Sequence, residues 1–261
     1  MIAILGQTED DILYFTSRFT NGEQIDELPG GIKAHRGNFG VDEIVIAATG
    51  YGNLQSAVVT SMIIDRYDPY LLIDTGSVIS LDKNLHQGDI FIADRYYLEG
   101  IRYNPLMNTA YGQIPGQPEF FIFGNELSAK AESAAFEVGG GVFAERGYLL
   151  SGNGVYLESK AINDLKQDHY AYIRNMIRAY DTSSGGIAMV CYQREISMLT
   201  IRVVALELDR KDQWIGYRRK SLESTPDVGR VITKLLLNSR ADFSTSKEVF
   251  NGGTETNKGQ R

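Results

Sequence analysis

The stretch LLIDTGSVISLDKNLHQGDIFIADRYY, at residues 71–97, decides the fold. It overlaps two apolar segments. The first is YLLIDTGS at 70–77, which ends in a Gly-Ser turn, and the second is DIFIADRYYLEGI at 89–101. Short apolar runs that are bounded by turn residues are typical of buried strands. The stretch therefore predicts two strands of a sheet, and in open α/β sheets ligands bind where strands end.

The segments on either side alternate between apolar strands and helical patterns. Further strands are predicted at 1–6, 43–50, 146–152, 177–180 and 198–208. Helices are predicted at about 10–19, at 53–67 with apolar positions Leu54, Val58, Met62 and Ile63, at 126–137, from near 184, and at about 226–237. This order predicts an α/β fold with a doubly wound or partly barrelled sheet that is flanked by helices.

The length and composition predict one globular domain with a polar tail. The chain has 261 residues, of which 43% are hydrophobic, so it can bury a substantial core. The segment STSKEVFNGGTETNKGQR at 244–261 is polar and Gly-rich, with neither a helical nor a strand period. We therefore expect a domain at 1–243 and a disordered tail at 244–261.

The charge and the cysteine content exclude several classes of partner. A net charge of −7, with no concentration of Lys and Arg on one face, argues against nucleic acid as a partner.

The N-terminal apolar run is short and is followed by acids, which fits neither a signal peptide nor a membrane anchor. Cys191 is the single cysteine and cannot form an internal disulfide. The protein is predicted to be soluble and cytoplasmic, with Cys191 as an inert core thiol.

Small residues follow four of the predicted strands. They are Gly6-Gln7-Thr8, Thr49-Gly50-Tyr51-Gly52, Thr75-Gly76-Ser77 and the segment from Asp181 to Gly186. Glycine also simply ends strands, so each turn taken alone is equally well explained by a structural role. Four such turns at corresponding positions favour a ligand site at one edge of the sheet.

Seven segments together resemble the 5'-methylthioadenosine/S-adenosylhomocysteine nucleosidase family of the nucleoside phosphorylase superfamily. They lie at 1–12, 48–64, 71–97, 110–121, 146–156, 179–191 and 200–206. The most specific are the YGQIPG segment at 111–116 and the DTGS turn at 74–77 with Leu85, Gly88, Asp89 and Ile90 downstream. The resemblance covers roughly residues 1–237.

The resemblance implies a three-layer α/β/α sandwich with a mixed, partly barrelled central sheet. It also implies a subunit that is usually dimeric and that hydrolyses the bond between adenine and a 5'-thio-substituted ribose, with no metal and no cofactor. The segment from Tyr111 to Phe121 would then form part of the dimer contact and of the pocket for the 5'-substituent. A loop that is merely braced by proline is the alternative for this segment.

The reaction needs particular residue types. Cleavage of a purine N-glycosidic bond builds positive charge on the sugar and electron density on the base. An acid must protonate the base, one carboxylate must activate water and another must bind the ribose hydroxyls. The resemblance places these three groups at Leu206, Asp11 and Ser183, respectively. Asp11 keeps a carboxylate, Ser183 has no charge, and Leu206 has no proton to give.

Glu207 follows Leu206, but neighbouring strand residues point to opposite faces, so it can substitute only if the strand bulges. The candidate catalytic residues are therefore Asp11 and Glu207. By the resemblance, the candidate substrate-binding residues are Gly76, Ser77, Val78, Val155, Tyr156, Thr182, Ser183 and Arg202. Val78 and Ile79 stand where the family has glycines and are expected to crowd the pocket.

Three functional hypotheses remain open. The leading one is a nucleosidase-family protein that binds a purine nucleoside or a related small molecule, with impaired or altered hydrolysis. The second is an active nucleoside hydrolase or phosphorylase that uses Asp11, Asp181 and Glu207 as rearranged carboxylates. The third is a structural or storage protein whose pocket is filled by Val78, Ile79, Val155 and Leu206. The fold alone does not decide among them.

Other polar residues give weaker signals. His35, His86 and His169 lie far apart in the sequence, without the spacing of metal ligands, so no metal site is predicted. The basic cluster at 218–220 is interpreted as a solvated face before the last helix, with a contact to an anionic ligand as the alternative.

Overall fold

The computed structural model describes residues 1–20, 22–40 and 42–238. The predicted tail at 244–261 and the predicted domain boundary at 243 lie outside these residues. The described strands are β1 (Ile2–Gly6), β2 (Gln24–Leu28), β3 (Ile32–Phe39), β4 (Asp42–Ala48), β5 (Leu71–Ser80), β6 (Ile90–Leu98), β7 (Ala144–Ser151), β8 (Ile177–Asp181) and β9 (Ser197–Glu207). The described helices are α1 (Glu9–Thr16), α2 (Asn53–Tyr67), α3 (Asn125–Val138), α4 (Ser159–His169), α5 (Ser184–Gln193), α6 (Lys211–Trp214) and α7 (Tyr217–Asn238).

The strands form one mixed sheet, in the order β2-β3-β4-β1-β5-β8-β7-β6-β9. A further pairing between β5 and β9 closes five of these strands into a barrel, while β1 to β4 extend outward from β5. Strand β1 is parallel to β4 and to β5, and β5 is parallel to β9, whereas β6 and β9 are antiparallel. The predicted α/β/α fold with a mixed, partly barrelled sheet is therefore confirmed.

Alternate residues of the central strands supply two separate cores. Ala3 and Leu5 of β1 face one side, where α2 and α5 pack, and Ile2 and Ile4 face the other side, where α1, α3 and α7 pack. Cys191 of α5 is buried in the first core, where burial raises the pKa of its thiol well above the usual range. A third, aromatic cluster surrounds α4. None of the described helices is both long and apolar enough to span a bilayer.

The last helix differs from its prediction. It begins at Tyr217, whereas the sequence pattern predicts a start near Pro226, because proline is favoured in the first turn of a helix. Pro226 instead lies inside α7. Buried Val228, Val231 and Leu235 hold the helix against the sheet, and this packing outweighs the hydrogen bond that proline removes.

The apolar face predicted for α2 is partly wrong. Leu54 and Val58 are 80% and 51% exposed, whereas Ile63 is buried. The reason is a close approach between α2 and α5, which favours small side chains and backbone on the buried face. A Cβ built on Gly186 would lie 2.0 Å from the carbonyl oxygen of Asn53. Strands β2 and β3 are not predicted at all, because most of their side chains are polar and only half-buried.

Candidate ligand site

A cavity of about 280 Å³ opens at the carboxyl ends of the central strands. Its size is just below the usual range of about 300–1,000 Å³ for small-molecule sites. Its wall is mostly apolar and aromatic, with residues Tyr51, Val78, Ile79, Val155, Leu157, Tyr180, Ala205, Leu206, Trp214 and Tyr217. Its polar lining residues are Gln7, Ser77, Asp181 and Thr182. All four of the Gly-containing turns that follow strands in the sequence thus contribute to one cavity.

The residues predicted to bind a ligand separate into two groups. Ser77, Val78, Val155 and Thr182 line the cavity. Others lie outside its lining: Gly76, Tyr156, Ser183 and Arg202. The branched side chains of Val78 and Ile79 form part of the wall and leave the cavity open, contrary to the hypothesis that they fill it.

Behind the cavity wall lies a buried ion pair. Arg202 and Asp74 are both fully buried, and Arg202 Nη2 donates to Asp74 Oδ1 at 2.5 Å while Nε donates to Asp74 Oδ2 at 3.1 Å. Arg202 also donates to Ser183 Oγ at 2.8 Å and to the carbonyl oxygen of Ser77 at 3.1 Å. Burial alone would lower the pKa of Arg202, but the carboxylates of Asp74 and Asp181 raise it. The guanidinium is therefore charged and already bound from within the protein.

The loop before α5 is held by side chains at the start of the helix. The backbone N–H of Ser184 donates to Asp181 Oδ2 at 3.0 Å, and Ser184 Oγ donates to Asp74 Oδ2 at 2.6 Å. The N–H groups of Gly185 and Gly186 donate to Ser151 Oγ and to Asn53 Oδ1. Because the first amides of a helix are what an anion would bind, this helix start is already satisfied without a ligand.

Asp11 lies beside the first cavity rather than in its wall. It lines a second cavity of about 230 Å³ that shares Gln7, Tyr51, Ser77 and Tyr217 with the first. Burial raises the pKa of Asp11, although its Oδ2 accepts two hydrogen bonds from Thr8 at 2.8 Å.

Gly76 is the reason that β5 can approach Asp11 so closely. Gly76 has a φ of +130°, and a Cβ built on it would lie 3.2 Å from Asp11 Cγ and 3.3 Å from Arg202 Nη1. The absence of a Cβ at this glycine therefore leaves room for Asp11 and Arg202 to approach the same strand end.

Strand β9 carries a bulge at the cavity. Val78 pairs with Val204, but the next residue of β5, Ile79, pairs with Leu206, so Ala205 is the extra residue. The Gly88-Asp89 segment holds β9 next to the bulge through two backbone hydrogen bonds. The N–H of Gly88 donates to the carbonyl oxygen of Val204 at 2.9 Å, and the N–H of Val204 donates to the carbonyl oxygen of Asp89 at 2.8 Å. The bulge brings both Ala205 and Leu206 to the cavity.

The predicted catalytic role of Glu207 finds no support in its position. Glu207 lies outside the lining of both cavities, because the bulge turns its two predecessors inward instead. Its carboxylate accepts hydrogen bonds from Gln213 Nε2 at 2.9 Å and from the N–H of Gln87 at 3.2 Å, and lies 3.3 Å from His86 Nδ1. Glu207 thus ties α6 and the 85–90 loop to the end of β9.

We expect Glu207→Gln to change the pH dependence of stability. Burial would raise the pKa of Glu207, but its hydrogen bonds to Gln213, Gln87 and His86 lower it below the usual range. A lowered folded-state pKa gives stability above the unfolded pKa that is lost as the pH falls through the folded pKa. The melting temperature of the variant should therefore be lower at pH 7 and should approach that of the wild type in acid. Glu223→Gln, at an exposed carboxylate of α7, is the control, and an equal deficit at both pH values would contradict the assignment.

The remaining polar residues of the sequence analysis lie in structural contacts. Tyr111 is only 7% exposed, and its ring stacks on that of His169 at 3.8 Å between ring centroids. His35 Nδ1 lies 2.5 Å from Glu23 Oε1. Arg218 is on the first turn of α7 and pairs with Asp10 at the rim of the second cavity.

Three residues at the site are missed by sequence reasoning. Asp74 carries a signal, since it is the one acid within the apolar run LLIDTG, and buried acids require partners. Trp214 and Tyr217 carry little signal, because the segment around them has no clear period. Trp214 is the last residue of the short helix α6 and Tyr217 the first residue of α7, and both line the cavity.

Comparisons with known proteins identify the family. A sequence profile of the phosphorylase superfamily matches residues 1–232. A 5'-methylthioadenosine/S-adenosylhomocysteine nucleosidase from Listeria monocytogenes is 28% identical over 210 residues, which cover 78% of this chain and 85% of that protein. One from Staphylococcus aureus is 27% identical over 210 residues, with 78% and 86% covered.

Solved structures show the same fold. The nucleosidase of Neisseria meningitidis in complex with methylthio-immucillin-A aligns with a TM-score of 0.81 at 22% identity, over 91% of this chain and 98% of that chain. The futalosine hydrolase of Helicobacter pylori aligns with a TM-score of 0.79 at 19% identity, over 91% and 97%. The chain belongs to the phosphorylase superfamily, and its resemblance to the 5'-methylthioadenosine/S-adenosylhomocysteine nucleosidase family within that superfamily is confirmed.

Proposed function

We propose that this protein binds a purine nucleoside or a related small molecule in the first cavity, and that it cleaves the N-glycosidic bond inefficiently. One observation carries the proposal. Leu206, at the position where the resemblance places the acid that protonates the base, lines a cavity that is still open. The binding space is kept, whereas the group that makes the base a good leaving group is missing.

The charges around the cavity favour a ligand without a phosphate group. Asp181 is the only charged residue in the described lining of the first cavity. Arg202 lies behind the wall and is bound by Asp74, and the start of α5 is capped by side chains. A phosphate group would therefore meet one carboxylate and no free cation, which disfavours nucleotides.

Relatives support the class of ligand. The proteins from Listeria and Staphylococcus carry names that state a nucleosidase activity on methylthioadenosine and S-adenosylhomocysteine. The related nucleosidase of Colwellia psychrerythraea, 19% identical with a TM-score of 0.81, is a complex with adenine. In the present chain the equivalent of the family's ribose-binding carboxylate is Ser183, whose Oγ accepts from Arg202, so we infer weaker binding of the sugar.

The proposal is tested with four nucleosides and two measurements. Purified protein is incubated with methylthioadenosine, S-adenosylhomocysteine, adenosine or inosine, with and without phosphate, and free base is measured by chromatography. Thermal melting in the same mixtures measures binding, since a ligand at 100 times its Kd stabilises by about 2.7 kcal/mol. We expect a raised melting temperature with at least one nucleoside and slow or undetectable base release. Rapid release would contradict the inefficient step, and no melting shift with any of the four would contradict binding.

An active enzyme is the second candidate, and Asp11 is the observation that favours it. A buried carboxyl with a raised pKa, beside a cavity and next to Ser77, is the kind of group that acts in general acid–base catalysis. In this case base release is measurable and Asp11→Asn abolishes it. A further variant, Asp181→Asn, tests the remaining carboxylate of the first cavity.

We also propose that the protein forms a dimer through the segment from Tyr111 to Phe121 and resides in the cytoplasm. Apolar side chains next to this segment support an interface, since Leu106 is 88% exposed and Met107 is 50% exposed. Sedimentation equilibrium of the wild type and of Leu106→Glu tests it, with a shift toward monomer expected for the variant. A wild type that remains monomeric at every concentration would contradict the dimer.

A further inference from the structure

The second cavity differs from the first in the chemistry of its wall. Most residues that line the first cavity are apolar or aromatic, whereas most of those that line the second are polar. The polar residues of the second lining are Gln7, Thr8, Asp10, Asp11, Ser77, Arg218 and Ser221. Because the two cavities have four lining residues in common, they are direct neighbours, and one ligand can contact both.

The charges of the second cavity favour a cation. In its described lining the charged groups are the carboxylates of Asp10 and Asp11 and the guanidinium of Arg218. Arg218 Nε donates to Asp10 Oδ2 at 2.8 Å and Nη2 donates to the same oxygen at 2.5 Å, so the guanidinium is already paired. One negative charge remains in excess when both carboxylates are ionised. The cavity therefore attracts a positively charged group and repels a phosphate.

Each of the two carboxylates has one oxygen that is free to accept a hydrogen bond. Asp11 is only 5% exposed, and Thr8 donates to its Oδ2 from both the N–H and Oγ1. Asp11 Oδ1 accepts no hydrogen bond from the described part of the chain, yet it keeps a surface open to solvent. The bonds from Arg218 likewise go to Asp10 Oδ2 and leave Oδ1 free of a described donor. Ionised carboxylate oxygens are acceptors only, so a partner for them must be a donor.

The environment of Asp11 also favours an added cation. Burial raises the pKa of Asp11, and the hydrogen bonds from Thr8 and the positive charge of Arg202 offset that rise only in part. The carboxylate thus has less positive charge around it than its burial requires. A cation in the cavity would stabilise its ionised form.

Two tyrosine rings border the same space. Tyr51 and Tyr217 line both cavities. The faces of such rings attract cations, and an ammonium group has three hydrogen-bond donors and no acceptor. A primary ammonium group therefore suits both the free carboxylate oxygens and the aromatic part of the wall, whereas a neutral hydroxyl group suits the oxygens alone.

We propose that the second cavity binds a positively charged amino group of the nucleoside ligand, which pairs with Asp10 and Asp11. This inference rests on the proposed nucleoside binding and names the class of ligand more closely, as a purine nucleoside that carries a primary amine. Asp10 and Arg218 are then residues that determine specificity with opposite signs. The carboxylate attracts the amino group, and the guanidinium competes with it for the same carboxylate.

Calorimetry at pH 7 and low salt compares two pairs of nucleosides. The first pair is 5'-amino-5'-deoxyadenosine and adenosine, and the second is N6-(2-aminoethyl)adenosine and N6-(2-hydroxyethyl)adenosine. In each pair an ammonium group replaces a hydroxyl group, and the two pairs carry it at opposite ends of the nucleoside. We expect the amine of one pair to bind the wild type about ten-fold more tightly than its hydroxyl counterpart, the size of one hydrogen bond to a charged group. High salt should reduce this advantage.

Three variants test whether the second cavity recognises the charge, with thermal melting to show that each is folded. Asp10→Asn removes the excess negative charge, so the advantage of the amine should be lost. Arg218→Gln removes the competing cation, so the advantage should grow. Glu9→Gln is the matched control, because Glu9 precedes Asp10 on α1, has a side chain that is 64% exposed and lies outside the lining of both cavities. This variant should keep the ten-fold advantage.

The outcomes separate this inference from the proposed function. If adenosine binds and neither amine binds more tightly than its hydroxyl counterpart, the inference is overturned while nucleoside binding stands. An advantage that is unchanged in Asp10→Asn, or that falls equally in Glu9→Gln, overturns the assignment of the amino group to this cavity. If none of the four compounds binds, the proposed function itself fails and the inference fails with it.

Discussion

Leu206→Asp is expected to raise the rate of base release from a bound purine nucleoside by about 10² to 10⁴, the usual contribution of a general acid. Leu206 lines the cavity together with Ala205 at the bulge of β9, and only 8% of it is exposed. An aspartic acid there would lie in an apolar wall, where burial raises the pKa of a carboxyl. A raised pKa keeps the acid protonated near neutral pH, and only the protonated form can donate to the leaving base.

Leu206→Asn is the matched control for this prediction. It has the size and polarity of the aspartate but no acidic proton, so it should bind nucleosides and release base no faster than the wild type. The pH profile gives a second check, because the rate of Leu206→Asp should fall as the pH rises through the pKa of the new acid. An equal gain in both variants would mean that polarity at this position, rather than proton donation, limits the reaction.

The double variant Leu206→Asp/Ser183→Glu tests whether two lost groups explain the slow reaction. It restores acidic groups at the two positions where the resemblance implies a ribose-binding carboxylate and the acid that protonates the base. If a folded double variant binds nucleosides and still releases no base, the site has not simply lost two residues, and another change must hold the ligand away from the reacting geometry.

Much of the fold could be predicted from short apolar runs. Strands β1 and β5 are buried on both faces, so their sequences read as nearly continuous apolar segments that end in Gly-containing turns. The edge strands β2 and β3 give no such signal, because their side chains are largely polar. Local periodicity therefore finds the centre of the sheet and misses its edge.

The candidate site was predicted less completely, because its geometry depends on long-range contacts. The turn that contains Ser77 and the loop that contains Thr182 were predicted and both line the cavity. The bulge at Ala205 was not predictable, since the segment is held by hydrogen bonds of Val204 with Gly88, which donates to it, and with Asp89, which accepts from it, more than a hundred residues away. The same bulge decides that Leu206, and not Glu207, lines the cavity.

The family resemblance assigned residues to roles but did not reveal their partners. Arg202 was predicted as a residue that binds substrate, whereas its guanidinium is occupied by Asp74. That partner follows from the fold, because β5 and β9 are parallel neighbours that bring Asp74 and Thr200 into register. Sequence patterns within one strand carry no information about such pairing.

Arg202→Met is expected to have the largest effect on stability, a loss of about 3–5 kcal/mol, because it leaves the buried carboxylate of Asp74 without its cation. Burial raises the pKa of Asp74, and in the wild type Arg202 offsets part of that rise. Without Arg202, the folded-state pKa of Asp74 should lie far above its unfolded value. Stability then falls as the pH rises from the unfolded to the folded pKa, so the deficit of the variant should be larger at pH 8 than at pH 5.

Urea unfolding at the two pH values measures this effect, and a double-mutant cycle with Asp74→Asn isolates the pair. Asp74→Asn/Arg202→Met should be more stable than Arg202→Met, since neither partner is then charged and the buried carboxylate is gone. Additive losses would mean that the two residues stabilise the protein through separate contacts. A deficit of Arg202→Met that is the same at both pH values would point to lost packing of a fully buried side chain instead, because a packing loss does not depend on the protonation of Asp74.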